Sequence, residues 1–306
     1  MPHTVPPFLK NGDTIGIVCP AGYMAAEKIL PCVNTLKSWG FRVHIGKTVG
    51  GVSSNYFSGT DAERLEDLQE MLDDEKISAI LFGRGGYGLS RIIDQISFKK
   101  FRKSPKWILG YSDISLLHAY IFANYEIVTA HSAMAGAFRE AGPEDPYLRS
   151  IRDLISGEKM KHSCDPHPFN RRGEAEGILM GGNLTLLAHA LGGPADFKTK
   201  GLILFMEDIG EYLYNIDRML HQLKAAGKFQ KPAAVVIGQF TELKDTERHF
   251  GEDAYEIIRN IFSDYSYPVC YGFPVGHVKE NVALKCGAEY RLAVGKVRVV
   301  LEEVDG

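Results

Sequence analysis

Four short segments hold the residues best suited to chemistry. Residues 107–119 read WILGYSDISLLHA, an apolar run that passes through Gly110, Tyr111 and Ser112 straight into a helical pattern. A serine at such a strand-to-helix corner projects its hydroxyl above the sheet edge, and the helix N-terminus offers N–H groups and positive dipole to a developing oxyanion. On spacing alone, Ser112 or Asp113 reads first as the N-cap of that helix, the commonest task of these residue types there. Residues 81–89, LFGRGGYGL, run another apolar stretch into a turn where Gly85, Gly86 and Gly88 let backbone approach a ligand and aim N–H groups at an anion. The segment lacks the Gly-Lys-Ser/Thr of a P-loop and fits G-x-G-x-x-G poorly, so it reads equally as a tight structural connection.

The other two segments supply an acid and a base. Glu207 and Asp208 stand at the end of an apolar run beginning at Leu202. A carboxylate there can orient an imidazole by accepting its second N–H, although an isolated Glu-Asp pair also suits a solvated loop. His277 sits in a loop, GFPVGHVKENVAL (272–284), from which it can reach a group on another element and exchange a proton near neutral pH. His118, His189 and His221 lie in helical patterns and read as packed or surface residues, and His162 and His167 fall in a polar connecting stretch.

Metal and cofactor chemistry finds no pattern. No H-E-x-x-H occurs, and no two histidines stand at i, i+4 spacing with an acidic partner. Five cysteines, Cys19, Cys32, Cys164, Cys270 and Cys286, are scattered without a C-x-x-C pair. That speaks against a disulfide framework or structural zinc and fits a reducing cytoplasm. The N-terminus lacks the charged and apolar regions of a secretory signal, and no run is apolar enough to span a membrane. A formal charge of -3 with both signs interspersed disfavours nucleic acid and anionic membrane as partners, leaving a small molecule.

The elements that must hold these segments follow a βαβ grammar. Apolar runs at 14–19, 41–45, 78–82, 106–109 and 126–129 read as strands, each followed by a turn signal. Residues 61–74 place Leu65, Leu68 and Leu72 on one helical stripe, with Thr60 or Asp61 to cap it. Pro31 inside the pattern 25–39 predicts a kink or a late helix start. Continuously apolar strands separated by helices imply a doubly wound parallel sheet over the first half, 1–150. The Pro-, Asp- and His-rich stretch 151–172 reads as a linker, with one short helix at 147–155 beside it. Beyond it, 173–306 alternates strand candidates (174–180, 202–206, 233–238, 268–271, 290–294, 296–301) with helices at 183–191, 212–226 and 253–262, a smaller mixed α/β domain. At 306 residues, two domains with a cleft between them are the natural expectation.

Taken in order along the chain, these segments resemble the LD-carboxypeptidase family of serine peptidases, which includes muramoyltetrapeptide carboxypeptidases and the microcin C immunity peptidases. The likeness runs through CPAG (19–22), FSGTDAERLEDL (57–68), RGGYG (84–88), GYSD (110–113), GGNLTLL (181–187), MEDIGE (206–211), IDRML (216–220) and Gly276, His277 and Asn281. It implies a Ser-His-Glu triad of Ser112, His277 and Glu207, a flavodoxin-like N-terminal domain carrying the serine, a C-terminal domain carrying the other two, and a homodimer. It also implies a murein tetrapeptide substrate, cut before its terminal D-alanine in peptidoglycan recycling, with no cofactor or metal. For the oxyanion the backbone N–H of Asp113 and of Gly85 or Gly86 are expected, and for the substrate carboxylate Arg84. The segment AHSAM (130–134) departs from the histidine-Gly-Pro-Met often found in the family, so the loop beside the nucleophile is expected to differ.

Other readings stay open. An immunity-type peptidase would cleave an aminoacyl or peptidyl adenylate analogue with the same triad and needs an aromatic platform for adenine. A non-catalytic protein binding a phosphorylated ligand would use the Gly85–Gly88 turn alone, and a glutamine amidotransferase would need cysteine where Ser112 stands.

Overall fold

The computed structural model describes residues 3–139 and 142–304, so the extreme ends of the two expected units lie outside the described residues. Strands β1 (Thr14–Val18), β2 (Arg42–Ile45), β3 (Ile77–Phe82), β4 (Trp107–Gly110) and β5 (Thr129–His131) pair in parallel in the spatial order 2-1-3-4-5. This is the flavodoxin-like doubly wound order. The central strands are buried along almost their whole length, as helices on both faces of a parallel sheet require.

Helices α1 (Leu30–Ser38), α2 (Asp61–Asp73), α3 (Lys99–Lys103) and α4 (Ser115–Tyr125) make the crossovers. Thr60 Oγ1 accepts the Glu63 N–H while Glu63 accepts the Thr60 N–H, a capping box that fixes where α2 starts. Pro31 falls in the first turn of α1, where its missing donor has no partner to lose, and a 3-10 turn at Ala26–Ile29 precedes it. The fifth strand begins at Thr129 and not at 126, because Glu126 closes α4 in the left-handed conformation (φ 53°).

After α5 (Pro146–Ile155) come β6 (Lys161–Cys164), β7 (Gly173–Asn183), α6 (Leu184–His189), β8 (Ile203–Ile209), α7 (Leu213–Ala225), β9 (Ala234–Thr241), α8 (Ala254–Phe262), β10 (Val269–Cys270), β11 (Leu284–Cys286), β12 (Glu289–Val294) and β13 (Val299–Glu303). The second sheet runs β10-β9-β8-β7-β12-β13-β6, parallel from β10 to β7 and antiparallel beyond. The fold is thus the two-sheet α/β arrangement expected, with a mixed second sheet.

Two short strands lie where the residue pattern shows none. The stretch read as a linker holds the end of α5 and all of β6, an edge strand of polar residues paired only with β13. Strand β11 leaves the second half of the chain and pairs antiparallel with β5, Leu284 opposite His131, so the first sheet gains its sixth strand from residues beyond His277.

The two halves are stitched where α4 begins. Helix α4 packs on α6 and β7. The last residue of β7, Asn183, donates its N–H to Ser115 Oγ at 3.1 Å, and the neighbouring Gly182 approaches so closely that a Cβ there would lie 2.5 Å from the same oxygen. Asn183 is in register with Glu207 on β8, so the corner after Ser112 is fixed against the strand that bears the glutamate.

Candidate active site

The serine corner is strained and held on every side. Tyr111 is fully extended (φ −152°), Ser112 turns to φ 63°, and a 3-10 turn over Ser112–Ile114 leads into α4. A non-glycine residue in that region costs of order 1–3 kcal/mol, so its neighbours must impose it. The Gly110 carbonyl accepts from Ser132 N–H (3.1 Å) and from His118 Nε2 (2.9 Å), and Asp113 Oδ2 accepts the Leu89 N–H at 2.9 Å. No side chain caps the start of the 3-10 turn or of α4. The Ser112 hydroxyl makes no hydrogen bond among the described residues.

The glycine-rich turn wraps this corner. A Cβ on Gly85 would lie 2.9 Å from Ser112 Cβ, 3.1 Å from Oγ and 3.4 Å from Asp113 N, so only glycine lets the backbone pass here. Gly86 and Gly88 take φ 105° and 155°. The wholly buried Arg64 braces the turn: its guanidinium donates to the carbonyls of Pro20 and Gly88 and stacks 4.8 Å over Phe57. Burial pushes the Asp113 carboxyl up to about 6, opposed by the Leu89 bond and by Arg64. Arg84, exposed at the rim, donates Nη1 to the Tyr23 carbonyl at 3.2 Å.

Glu207 and His277 come together from the second half. His277 Nδ1 lies 2.7 Å from Glu207 Oε2; the glutamate side chain is fully buried and the histidine 13% exposed. Opposite Glu207, β9 bulges, Met206 pairing with Ile237 and Asp208 with Phe240, so that Gly238 and Gln239 face one residue. The bulge receives the histidine loop: Gln239 N–H donates to the Val275 carbonyl at 2.9 Å, and a Cβ on Gly238 would lie 2.4 Å from that oxygen. Asp208 is turned elsewhere, accepting from Asn183 Nδ2, from the Thr185 N–H and hydroxyl and from the Ile209 N–H. Burial and then the neighbouring Glu207 raise it to about 6. The acidic pair therefore divides into a carboxylate that meets an imidazole and one that holds Asn183, the N-cap of α6, and the first turn of that helix.

Tyr111 joins the serine corner to this pair. Its ring lies 4.6 Å from the His277 ring, and burial, then the charge of Glu207, push its hydroxyl up to about 12, so it stays protonated. Tyr111 and His277 line a cleft of about 310 Å³ together with Tyr147, Ile209, Lys279 and Asn281. On the other side of the corner, Gly86, Tyr87 and Asp113 line a recess of about 580 Å³ shared with α4 and α6. Residue spacing points to neither Tyr111 nor Lys279, since their part depends on which side chains meet across sheets. Among the described residues no cluster of three His, Cys, Asp or Glu is placed to hold a metal ion, and no helix is long and apolar enough to cross a membrane.

A serine forced into a left-handed corner above a flavodoxin-ordered sheet, with a carboxylate-bound histidine brought to the preceding tyrosine, belongs to the hydrolases that work through serine. The LD-carboxypeptidase N-terminal domain matches residues 15–132 and the LD-carboxypeptidase C-terminal domain matches residues 176–292. The chain is 34% identical to the "Probable murein peptide carboxypeptidase" of Bacillus subtilis over 97% of its own length and 94% of the relative's. It belongs to the LD-carboxypeptidase family. The crystal structure of a muramoyltetrapeptide carboxypeptidase from Oxalobacter formigenes superposes with a TM-score of 0.85 at 29% identity, covering 95% of this chain and 99% of that one. A microcin C7 self-immunity protein of Escherichia coli is 26% identical over 96% of this chain and 94% of its own length.

Proposed function

We propose that this carboxypeptidase removes the terminal D-alanine of murein tetrapeptides, cutting its bond to the L-centre of the diamino acid before it, in peptidoglycan recycling. The observation that carries the mechanism is the buried His277–Glu207 pair beside a strained serine corner. The substrate rests on the likeness to proteins named for murein peptides. A homodimer is what the family resemblance implies, and the scattered free cysteines suit a reducing cytoplasm.

In the proposed cycle His277 takes the proton of Ser112 as Oγ attacks the scissile carbonyl carbon. Glu207 accepts the Nδ1–H, fixes the tautomer and stabilises the imidazolium. The oxyanion is received by the N–H of Asp113 and of Gly85 or Gly86, each such donor being worth ~3 kcal/mol of barrier. The imidazolium then protonates the departing amino group, D-alanine leaves, and water, activated by the same histidine, hydrolyses the acyl-enzyme. Serine–imidazole bonds that are open in a free site commonly close around substrate.

Arg84, next to the Gly85 turn, is proposed to meet the free carboxylate; Lys279, which lines the cleft with His277, is a second candidate cation. For an adenylate substrate neither tryptophan is placed to stack, Trp107 being fully buried and Trp39 half-buried against Phe138 and Arg152, whereas Tyr147 in the cleft and the exposed Tyr87 in the recess are aromatic faces that could.

The test is to incubate wild type and Ser112→Ala with purified murein tetrapeptide and measure D-alanine. Release by wild type and none by the variant is expected. Equal release by both would reject the serine, and none by either would reject the substrate.

A further inference from the structure

Gly88 and Leu89 share one peptide unit that is held from both sides. Its carbonyl accepts from Arg64 Nη1 at 3.0 Å, and its N–H donates to Asp113 Oδ2 at 2.9 Å. Both side chains are shut away from water, at 0% and 1% exposure, and each bond has a charged group at one end. Such bonds are stronger than neutral pairs and meet no competition from solvent. Glycine at position 88 is what admits the guanidinium: φ is 155°, and a Cβ would lie 2.8 Å from Arg64 Nη1 and 2.9 Å from Ala21 Cα. Burial lifts the Asp113 carboxyl only to about 6, with the Leu89 bond and Arg64 opposing it, so it is mainly ionised at neutral pH.

The two ends of this clamp have separate anchors. Arg64 also donates to the Pro20 carbonyl and pairs with Asp61, which ties the turn to α2 and to the loop after β1. Asp113 is anchored by its place in the chain, one residue past Ser112. Its own N–H lies beside the near end of the turn, 3.4 Å from where a Cβ on Gly85 would stand. Residues 85–88 therefore have the serine corner at one end and, at the other, a peptide tied to the residue next to the serine. Three glycines in four residues would otherwise leave this backbone many conformations. A donor displaced by ~1 Å can cost about a hundredfold in rate.

We propose that Arg64 and the Asp113 side chain are positioning residues: they grip the Gly88–Leu89 peptide from opposite sides and so hold the N–H groups of the turn at a fixed distance from the Asp113 N–H, making one oxyanion site from two loops. Both act through the backbone. The proposal rests on reading those N–H groups as the oxyanion donors.

The test uses the full chain with Asp113→Ala, Asp113→Asn, Arg64→Lys and the double Arg64→Lys/Asp113→Ala, assayed on murein tetrapeptide. Asp113→Ala should lower kcat about ten- to a hundredfold with KM within about threefold. Asp113→Asn keeps an acceptor for Leu89 and can turn its amide nitrogen to the adjoining recess, so it should recover most of the rate. Arg64→Lys should lower kcat several-fold, and the double variant should lose less than the product of the two single losses, because both act on one peptide. A boronic acid analogue of the product tripeptide, with boron in place of the scissile carbonyl carbon, sets an oxygen where the oxyanion stands. Its affinity should fall in Asp113→Ala by the same factor as kcat/KM. Failure of the asparagine rescue, multiplicative losses or an unchanged boronate affinity would overturn the clamp. If the Arg64 variants fail to fold, Ala against Asn at position 113 still decides. Amide exchange over residues 84–90, read by mass spectrometry, needs no substrate: it should quicken in Asp113→Ala and return in Asp113→Asn. Exchange indifferent to these changes, or quickened with kcat unaltered, would also overturn the proposal. Responsive exchange in a wild type that releases no D-alanine would uphold the clamp and reject the substrate reading instead.

Discussion

The backbone of Gly85 passes Ser112 so closely that a methyl group on it would sit 3.1 Å from the serine hydroxyl. The space beside the proposed nucleophile is therefore kept open by the lack of a side chain in a turn that a different strand delivers. Gly85→Ala should lower kcat/KM about a hundredfold or more by displacing the hydroxyl or the turn's N–H groups. Parallel thermal melts should show a folded protein with a lowered Tm, since a Cβ 2.9 Å from Ser112 Cβ forces the turn or the corner to shift. An alanine variant of wild-type rate would remove this turn from the oxyanion site.

The two neighbouring carboxylates should separate cleanly on substitution. Glu207→Gln takes the charge from the histidine's partner and permits the wrong tautomer, so kcat should fall about 10²- to 10⁴-fold. Asp208→Asn spares the imidazole but weakens the bonds to Asn183 and Thr185, so its effect should appear as a lower Tm with a much smaller loss of kcat. Steady-state kinetics beside melting curves for both variants make the comparison.

Acid sensitivity has a defined source. Burial holds His118 near 4 and His131 near 3, against an ordinary 6.5. The unfolded chain binds protons that the folded chain refuses, so this contribution to stability is full above pH 6.5 and is lost as pH falls toward 4 and 3. Asp113 and Asp208 act with the opposite sign. Raised from 3.8 to about 6, they favour the folded state at low pH and lose that advantage as pH rises through 6. Comparing wild type with His131→Phe cancels the carboxyl part. Measured by urea unfolding, the variant's stability relative to wild type should improve steadily from pH 6.5 toward 3, and a pH-independent gap would contradict a buried neutral ring.

Carboxylate recognition can be assigned between two cations. If Arg84 meets the terminal carboxylate, Arg84→Gln should raise KM tenfold or more with kcat little changed, by loss of a charge-assisted hydrogen bond. Lys279→Gln should then be close to wild type. The reverse result would move the role to the cleft beside His277.

Much of this architecture is legible in the residues and some of it is not. The buried strands β1, β3 and β4 announce themselves as apolar runs, and Thr60 with Glu63 marks where α2 begins. Strand β6 escapes notice because an edge strand of Lys, His and Ser carries no apolar signal, and β11 because three residues after a loop carry no period. At the site, the choice of Glu207 as the partner of His277 follows from the family likeness, yet the task of Asp208 does not. It depends on a bulge in β9, which no local pattern encodes. The setting of Tyr111, His131 and Asn281 is likewise a matter of which side chains meet once two sheets pack.

Strand β11 has a consequence for any attempt to divide the molecule. A chain ended at 172 would keep the serine corner but leave β5 as a bare sheet edge, its ladder groups on that side free to pair with another molecule. The fragment should self-associate, and adding residues 173–306 as a separate piece should restore solubility by capping that edge. The same crossing makes the histidine loop a bridge moored at one end to the second sheet's bulge and at the other to the serine's own sheet, so a hinge motion that opened the cleft would pull on His277 directly.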